Sequence, residues 1–174
     1  MLKKIIFCSF LWFLFNSIAL SNEKKLAYIN LDLLISKSNP GQLLIKNLDE
    51  LEKKNFDNFL SREKTLKKEE ESIDQQKNIL SDDELKKRVI LLKKKINAYN
   101  KDKKKFIKDF KLKENKEILK FLNSVTPIIE NFMNQESIDI LFEKKNIFIA
   151  KTNFDITEKI IVLINKNVDN LNNE

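Results

Sequence analysis

Side chains able to do covalent or metal chemistry are almost missing from this chain. Its 174 residues contain no histidine, and the single cysteine, Cys8, sits in an apolar stretch near the N-terminus. Nucleophilic triads and imidazole-based metal sites therefore lack their essential groups. Carboxylates are plentiful, with clusters at Glu69-Glu70-Glu71 and Asp82-Asp83-Glu84. Both lie in strongly polar segments, where no burial would raise a carboxyl pKa for acid catalysis. Gly41 is the only glycine, which excludes a glycine-rich phosphate loop. The expectation is a protein that is not an enzyme, with no catalytic residues, no metal and no cofactor.

The chemistry that remains is non-covalent. Residues 85–120 carry fifteen cations against four acids, a net +11, whereas residues 51–80 are neutral and residues 121–174 total −3. Within the basic segment, Lys93, Lys94, Lys95, Lys101, Lys103, Lys104 and Lys105 stand beside Phe106 and Phe110. Cations with aromatic flanks can hold acidic, partly apolar chains through many weak contacts. The plainer reading is that these lysines are the solvated outer face of a coiled coil and the two phenylalanines its seam. Basic helices also neutralise phosphates, so a nucleic-acid binder is one rival. A structural coiled-coil spacer of the cell envelope is another.

The elements that position this segment follow from periodicity. One glycine and two prolines are too few for a turn-rich globule. Leu26–Leu31 is short, apolar and bracketed by polar residues, which suits a buried strand. Asp32–Ile35 opens a short helical turn ending near Ser38-Asn39-Pro40-Gly41, and a long helix is expected just after that cluster. Phe59, Leu66, Ile73 and Leu80 then recur every seven residues. Leu85, Val89, Leu92, Ile96, Tyr99, Phe106 and Phe110 follow steps of four and three, interrupted only at Lys103. Such narrow stripes are coiled-coil seams rather than faces of a globular core. Between them, Ser81 with Glu84 three residues on has the form of a capping box, and Asp82 and Asp83 suit the positive end of a new helix. A helical hairpin with an acidic tip follows, each arm on the order of 55–65 Å.

Beyond Thr126-Pro127 the helix is expected to continue, with Ile128, Ile129 and Phe132 on its apolar face. Ile138–Phe142 and Ile147–Ala150 are expected to be two strands joined by a polar hairpin turn, Glu143–Asn146. Asp155 with Glu158 has the pattern of an acidic helix start, and Ile156, Ile160, Leu163 and Ile164 line one face of that last helix. The fold class is α+β and mostly helical. A β-rich body for association between subunits is built from residues 22–45 and 118–174, and residues 46–117 form the arms.

The N-terminus has the form of a cleaved export signal. Lys3 and Lys4 precede the apolar run Ile5–Phe15, and Ala19-Leu20-Ser21 offers small residues for cleavage after Ser21. The run is shorter than the roughly 20 apolar residues that span a bilayer. Cleavage would remove residues 1–21 and lower the net charge from +7 to +5, since they hold two lysines and no acid. It would also remove Cys8, leaving a cysteine-free chain suited to an oxidising compartment.

Two stretches carry a family resemblance. Lys25-Leu26-Ala27-Tyr28-Ile29-Asn30 with Asp32-Leu33-Leu34, and Ser137–Phe142 through Asp155-Ile156-Thr157-Glu158, resemble the OmpH/Skp family of periplasmic chaperones. The order of elements around a basic helical hairpin is similar over essentially the whole mature chain, although the tip here is more acidic than in that family. The resemblance implies a homotrimer whose body is a small barrel of strands from three subunits, with arms around a cavity. It also implies an ATP-independent holdase in the periplasm, which binds unfolded outer-membrane β-barrel proteins before membrane insertion. On that reading Leu26, Tyr28, Ile29, Ile138, Ile140, Phe148 and Ile149 form the body and subunit interface. The expected partners are unfolded β-barrel proteins, two further copies of the chain and, transiently, a membrane surface; no nucleic acid is expected.

Overall fold

The computed structural model of the chain describes residues 23–167. The expected leader, residues 1–21, lies outside the described residues, as do residues 168–174. In order, the chain forms strand β1 (Leu26–Ile29), helix α1 (Leu31–Lys37), helix α2 (Asn39–Gln76), helix α3 (Asp82–Glu136), strand β2 (Ile140–Glu143) and helix α4 (Thr157–Lys166). Single 3-10 turns occupy Lys144–Asn146 and Thr152–Phe154.

The body is assembled from both ends of the chain. β1 and β2 pair in parallel, Leu26 opposite Ile140 and Ile29 opposite Glu143. Strand side chains alternate between faces, so Ala27 and Ile29 point into the core while Leu26 and Tyr28 take the other side. Against the inner face pack Leu34 of α1, Phe121, Val125, Ile129 and Phe132 of α3, Ile138, and Ile156, Ile160, Ile161 and Ile164 of the α4 region. The α3 positions advance by four, four and three, the broad stripe of a helix that faces a core.

Polar groups tie these pieces together. Asn30 caps α1 by accepting from the Leu33 amide at 3.1 Å, and its own amide donates to the Thr157 hydroxyl at 2.9 Å. Asp155 accepts from the Thr157 amide at 2.9 Å and also accepts a hydrogen bond from the Thr157 hydroxyl. The acidic start of α4 is therefore confirmed in chemistry but shifted in detail. The helix opens at Thr157 with Ile156 at the N-cap, which makes no side-chain cap bond; Asp155, expected as the N-cap, lies one residue before it and reaches the Thr157 amide from there.

The Ser38–Gly41 cluster also differs from expectation, since α2 begins inside it rather than after it. Ser38 is the N-cap, its hydroxyl accepting from the Gly41 amide at 3.3 Å, and Pro40 sits in the first turn, where a missing N–H costs nothing. Gly41 is required by proximity. A β-carbon there would lie 2.0 Å from the Ile35 carbonyl oxygen, so the sharp corner between α1 and α2 has room only for hydrogen.

α3 runs unbroken for 55 residues through Pro127, about 82 Å at the helical rise. Pro127 and Asn123 are both exposed, so the Asn123 carbonyl that loses its partner is solvated. The helix ends at Ser137, whose backbone is left-handed at φ 55°, with the Ile138 amide closing back onto the Met133 carbonyl at 2.8 Å. This is a Schellman-type end made without glycine.

The expected hairpin between Ile138–Phe142 and Ile147–Ala150 is not formed. β2 pairs with β1 instead, and Ile147–Ala150 is extended or irregular with no strand partner among the described residues. Two- and three-residue hairpin turns need a residue at positive φ. The connection here has no glycine, and Ser137 is the only non-glycine residue at positive φ among the described residues. The chain turns through a 3-10 helix and does not come back alongside β2.

Candidate functional site

α2 and the first half of α3 form an antiparallel hairpin, α2 about 57 Å long for its 38 residues. The reversal is Lys77–Ser81. Ser81 caps α3, its hydroxyl accepting from the Glu84 amide at 3.4 Å, and Asp82, Asp83 and Glu84 fill the first turn. The reciprocal half of the capping box is absent. Glu84 pairs with Arg88 at 3.0 Å instead, and Arg88 spends its second nitrogen on Gln76 of α2 at 2.8 Å. A planar guanidinium with two donors thus ties the tip together.

Beneath the tip the seam alternates between apolar and polar layers. Phe59, Leu66, Ile73 and Leu80 supply the apolar side of α2, and Leu85, Leu92, Tyr99 and Phe106 stand at matching heptad positions on α3. Ile73, Leu92 and Tyr99 are buried and the others half-buried. Phe59 touches Tyr99 edge-on at 6.0 Å and Phe106 at 5.7 Å, and Phe110 stacks beyond Phe106 at 5.6 Å. The polar layers repeat with the same period. Gln76–Arg88, Glu69–Lys95 (2.7 Å) and Arg62–Asp102 (2.9 Å) are three rungs, each seven residues back along α2 and seven forward along α3. Sequence reading saw the apolar heptads but missed these rungs. The available signal was the matching spacing of Arg62, Glu69 and Gln76, three residues after each seam position of α2.

This layering explains why the first seam reads as thin. Three of its seven positions, Arg62, Glu69 and Gln76, are polar, and solvent-exposed ion pairs each contribute roughly 0–1 kcal/mol. Among the described residues no third element packs on the arms along this stretch, so their opening costs far less than unfolding of the body.

The basic residues divide by role. Lys95 is bound to Glu69, and Lys103 lies over the Tyr99 ring at 5.7 Å, which lets a cation interrupt the seam. Lys93, Lys94, Lys101, Lys104 and Lys105 are exposed, with no ion-pair partner among the described residues. Phe106 and Phe110 are half-buried seam residues, so the plainer of their two readings describes their packing.

The candidate interface residues of the body also divide. Ile29 and Ile138 belong to the chain's own core, and Tyr28 is buried. Leu26, Ile140, Phe148 and Ile149 are exposed, the last two at 103% and 84%. Leu26, Phe148 and Ile149, with Phe142 and Phe154, border an open apolar cleft of about 470 Å³ on the outer face of the two-stranded sheet. Two strands are too few to stand alone in water, and this face has no cover among the described residues.

At the edge of β1, Asp139 accepts from the Lys25 amide at 2.8 Å and from the Lys24 ammonium at 3.3 Å. The amide first, and then the ammonium, hold its carboxyl below the usual carboxylate range.

No curated protein matches this chain. A solved structure of a protein described as an outer membrane chaperone (OmpH-like), from Caulobacter crescentus CB15, has the same fold. Its TM-score is 0.72 at 15% identity, with 82% of this chain and 85% of that chain covered. The strand-bordered body and long helical hairpin described above agree with a family match over residues 25–164, to the model described as Outer membrane protein (OmpH-like). The chain belongs to the OmpH-like family.

Proposed function

We propose that this protein is an ATP-independent, non-catalytic holdase of the periplasm, which binds unfolded outer-membrane β-barrel proteins and keeps them from aggregating before insertion. The observation that carries this reading is a helical hairpin whose distal part packs, among the described residues, against itself alone, with alternate layers polar and with Lys93, Lys94, Lys101, Lys104 and Lys105 free of ion-pair partners among those residues. An arm of this kind presents surface for many weak contacts and bends at small cost. Release needs no nucleotide, because a client that folds or inserts withdraws its apolar side chains from the arm. The uncovered apolar face around Leu26, Ile140, Phe148 and Ile149 supports association of the bodies as a homotrimer.

The test is dilution of a urea-unfolded, net-acidic outer-membrane β-barrel protein into buffer with the purified chain, followed by light scattering. Aggregation should fall at equimolar trimer and low salt. Suppression should weaken as salt shortens the screening length from about 10 Å at 0.1 M to about 3 Å at 1 M. Unchanged aggregation at low salt refutes the holdase reading, and a stable monomer by native mass measurement refutes the shared body.

A further inference from the structure

The net charge of the chain is divided unequally between arm and body. Residues 46–117 hold twenty-two cations against sixteen acids, a net +6. Residues 22–45 with 118–174 hold nine against ten, a net −1. Beyond the expected leader, the whole positive excess therefore sits on the arm. Much of it is uncompensated locally. Lys87, Lys94, Lys101, Lys104, Lys105 and Lys108 are exposed, and none has an ion-pair partner among the described residues.

In a trimer, three rods of one sign leave a common base, and each lies in the field of the other two. A net charge of one sign drives a compact arrangement apart. The rods are long, α2 alone about 57 Å, so a small rotation near the base carries the outer arm through a large distance.

The lower arm is built to allow that rotation. Polar ties between the two helices end at the Arg62–Asp102 rung. Nearer the body, Glu114 and Glu117 are half-buried on α3, yet they bind Lys111 and Lys120 of their own helix at 2.7 and 3.0 Å. Asn55 likewise donates to the Leu51 carbonyl of its own helix at 2.8 Å. Among the described residues no hydrogen bond or ion pair joins α2 to α3 below that rung. The lower arm is thus held by apolar contact, with no directional bond to oppose bending.

We infer that the arms of the assembled protein are held apart by their own charge, so that the space between them stays open when no client fills it and narrows when salt screens the repulsion. That force acts only between subunits, so it rests on the trimeric reading above. The screening length is about 30 Å at 0.01 M salt and about 10 Å at 0.1 M. At an arm-to-arm distance of about 20 Å, two helix diameters, the screened repulsion is roughly fourfold stronger at the lower salt.

The experiment reads the spacing of the arms without any client. A spin label on N58C, an exposed and uncharged position in the middle of α2, marks each arm once in a C8S background. Pulsed dipolar spectroscopy of the full chain gives the label-to-label distance, and light scattering in the same buffers gives the mass. The mean distance should be longer by several ångströms at 0.01 M salt than at 1 M, where the screening length is about 3 Å. The combined variant K87Q, K94Q, K101Q, K104Q, K105Q and K108Q brings the arm from +6 to zero, and its distance should be short and equal at both salts. Arginine at the same six positions keeps the charge and should restore the response to salt. Glutamine and arginine have helix propensities close to that of lysine, so both variants keep the arm helical. A trimer whose spacing ignores salt, or a glutamine variant that responds as the parent does, overturns the inference while the shared body stands. A monomeric mass removes the trimeric reading itself, and the inference with it.

Discussion

Replacing the Glu69–Lys95 rung with leucine at both positions should stiffen the arm. The two charges are joined at 2.7 Å, but their side chains remain 30% and 48% exposed. Screened by solvent, such a pair contributes at most about 1 kcal/mol. Fully burying a leucine stabilises by about 1.5–3 kcal/mol, and positions this exposed would realise roughly half to two-thirds of that. The two leucines of Glu69→Leu with Lys95→Leu together should therefore stabilise the closed hairpin by about 1–3 kcal/mol after the loss of the ion pair. That slows opening-limited hydrogen exchange by roughly 5–150-fold. Hydrogen exchange measured by mass spectrometry should show the slowing in peptides covering residues 60–75 and 90–105, with the body peptides around Ile129 and Ile160 unchanged. Faster or unaltered exchange in the arm would mean that the polar rungs are not what keeps the hairpin marginal, and the account of its compliance fails.

Other perturbations address the body. Gly41→Ala forces a methyl into the Ile35 carbonyl and should destabilise the protein by about 2–3 kcal/mol despite the better helix propensity of alanine, read as a lower urea midpoint. Ser137→Gly relieves a left-handed backbone at φ 55° and should raise the same midpoint by about 0.5–1 kcal/mol, with an unchanged slope. The Asp139 carboxyl titrates below its ordinary value of 3.8, so its stabilisation of the β1 edge is present above that pH and is lost as pH falls through the lower folded pKa. Exchange of the Lys25 amide, followed by NMR, should accelerate in acid in the native chain, and Asp139→Asn should abolish that dependence on pH.

Local chemistry made much of the architecture legible. The heptad stripe from Leu85 to Phe110, the Ser81 cap and the lysine-rich second arm all express interactions between residues a few positions apart on one helix. The Asp155-Ile156-Thr157 start of the last helix was visible for the same reason, although its capping geometry was not. What escaped were features that need two distant segments to meet. Glu69 reads as one acid in a run of three until Lys95 comes to 2.7 Å from it. Glu84 was expected to turn back on Ser81, but Arg88 is a charged partner within reach and Gln76 anchors it from across the tip.

The sequence by itself determined that the chain makes long helices with narrow seams, that one arm is basic, and that no histidine, paired cysteine or glycine loop exists for chemistry. These are matters of inventory and of short-range periodicity, which no tertiary contact can alter. Only the tertiary structure decided that β2 pairs in parallel with β1, leaving Ile147–Ala150 without a strand partner among the described residues. It also decided which side of the arm is closed by rungs. The reason is that strand pairing and cross-helix contact depend on register between residues tens of positions apart, and alternation or heptads alone do not set that register.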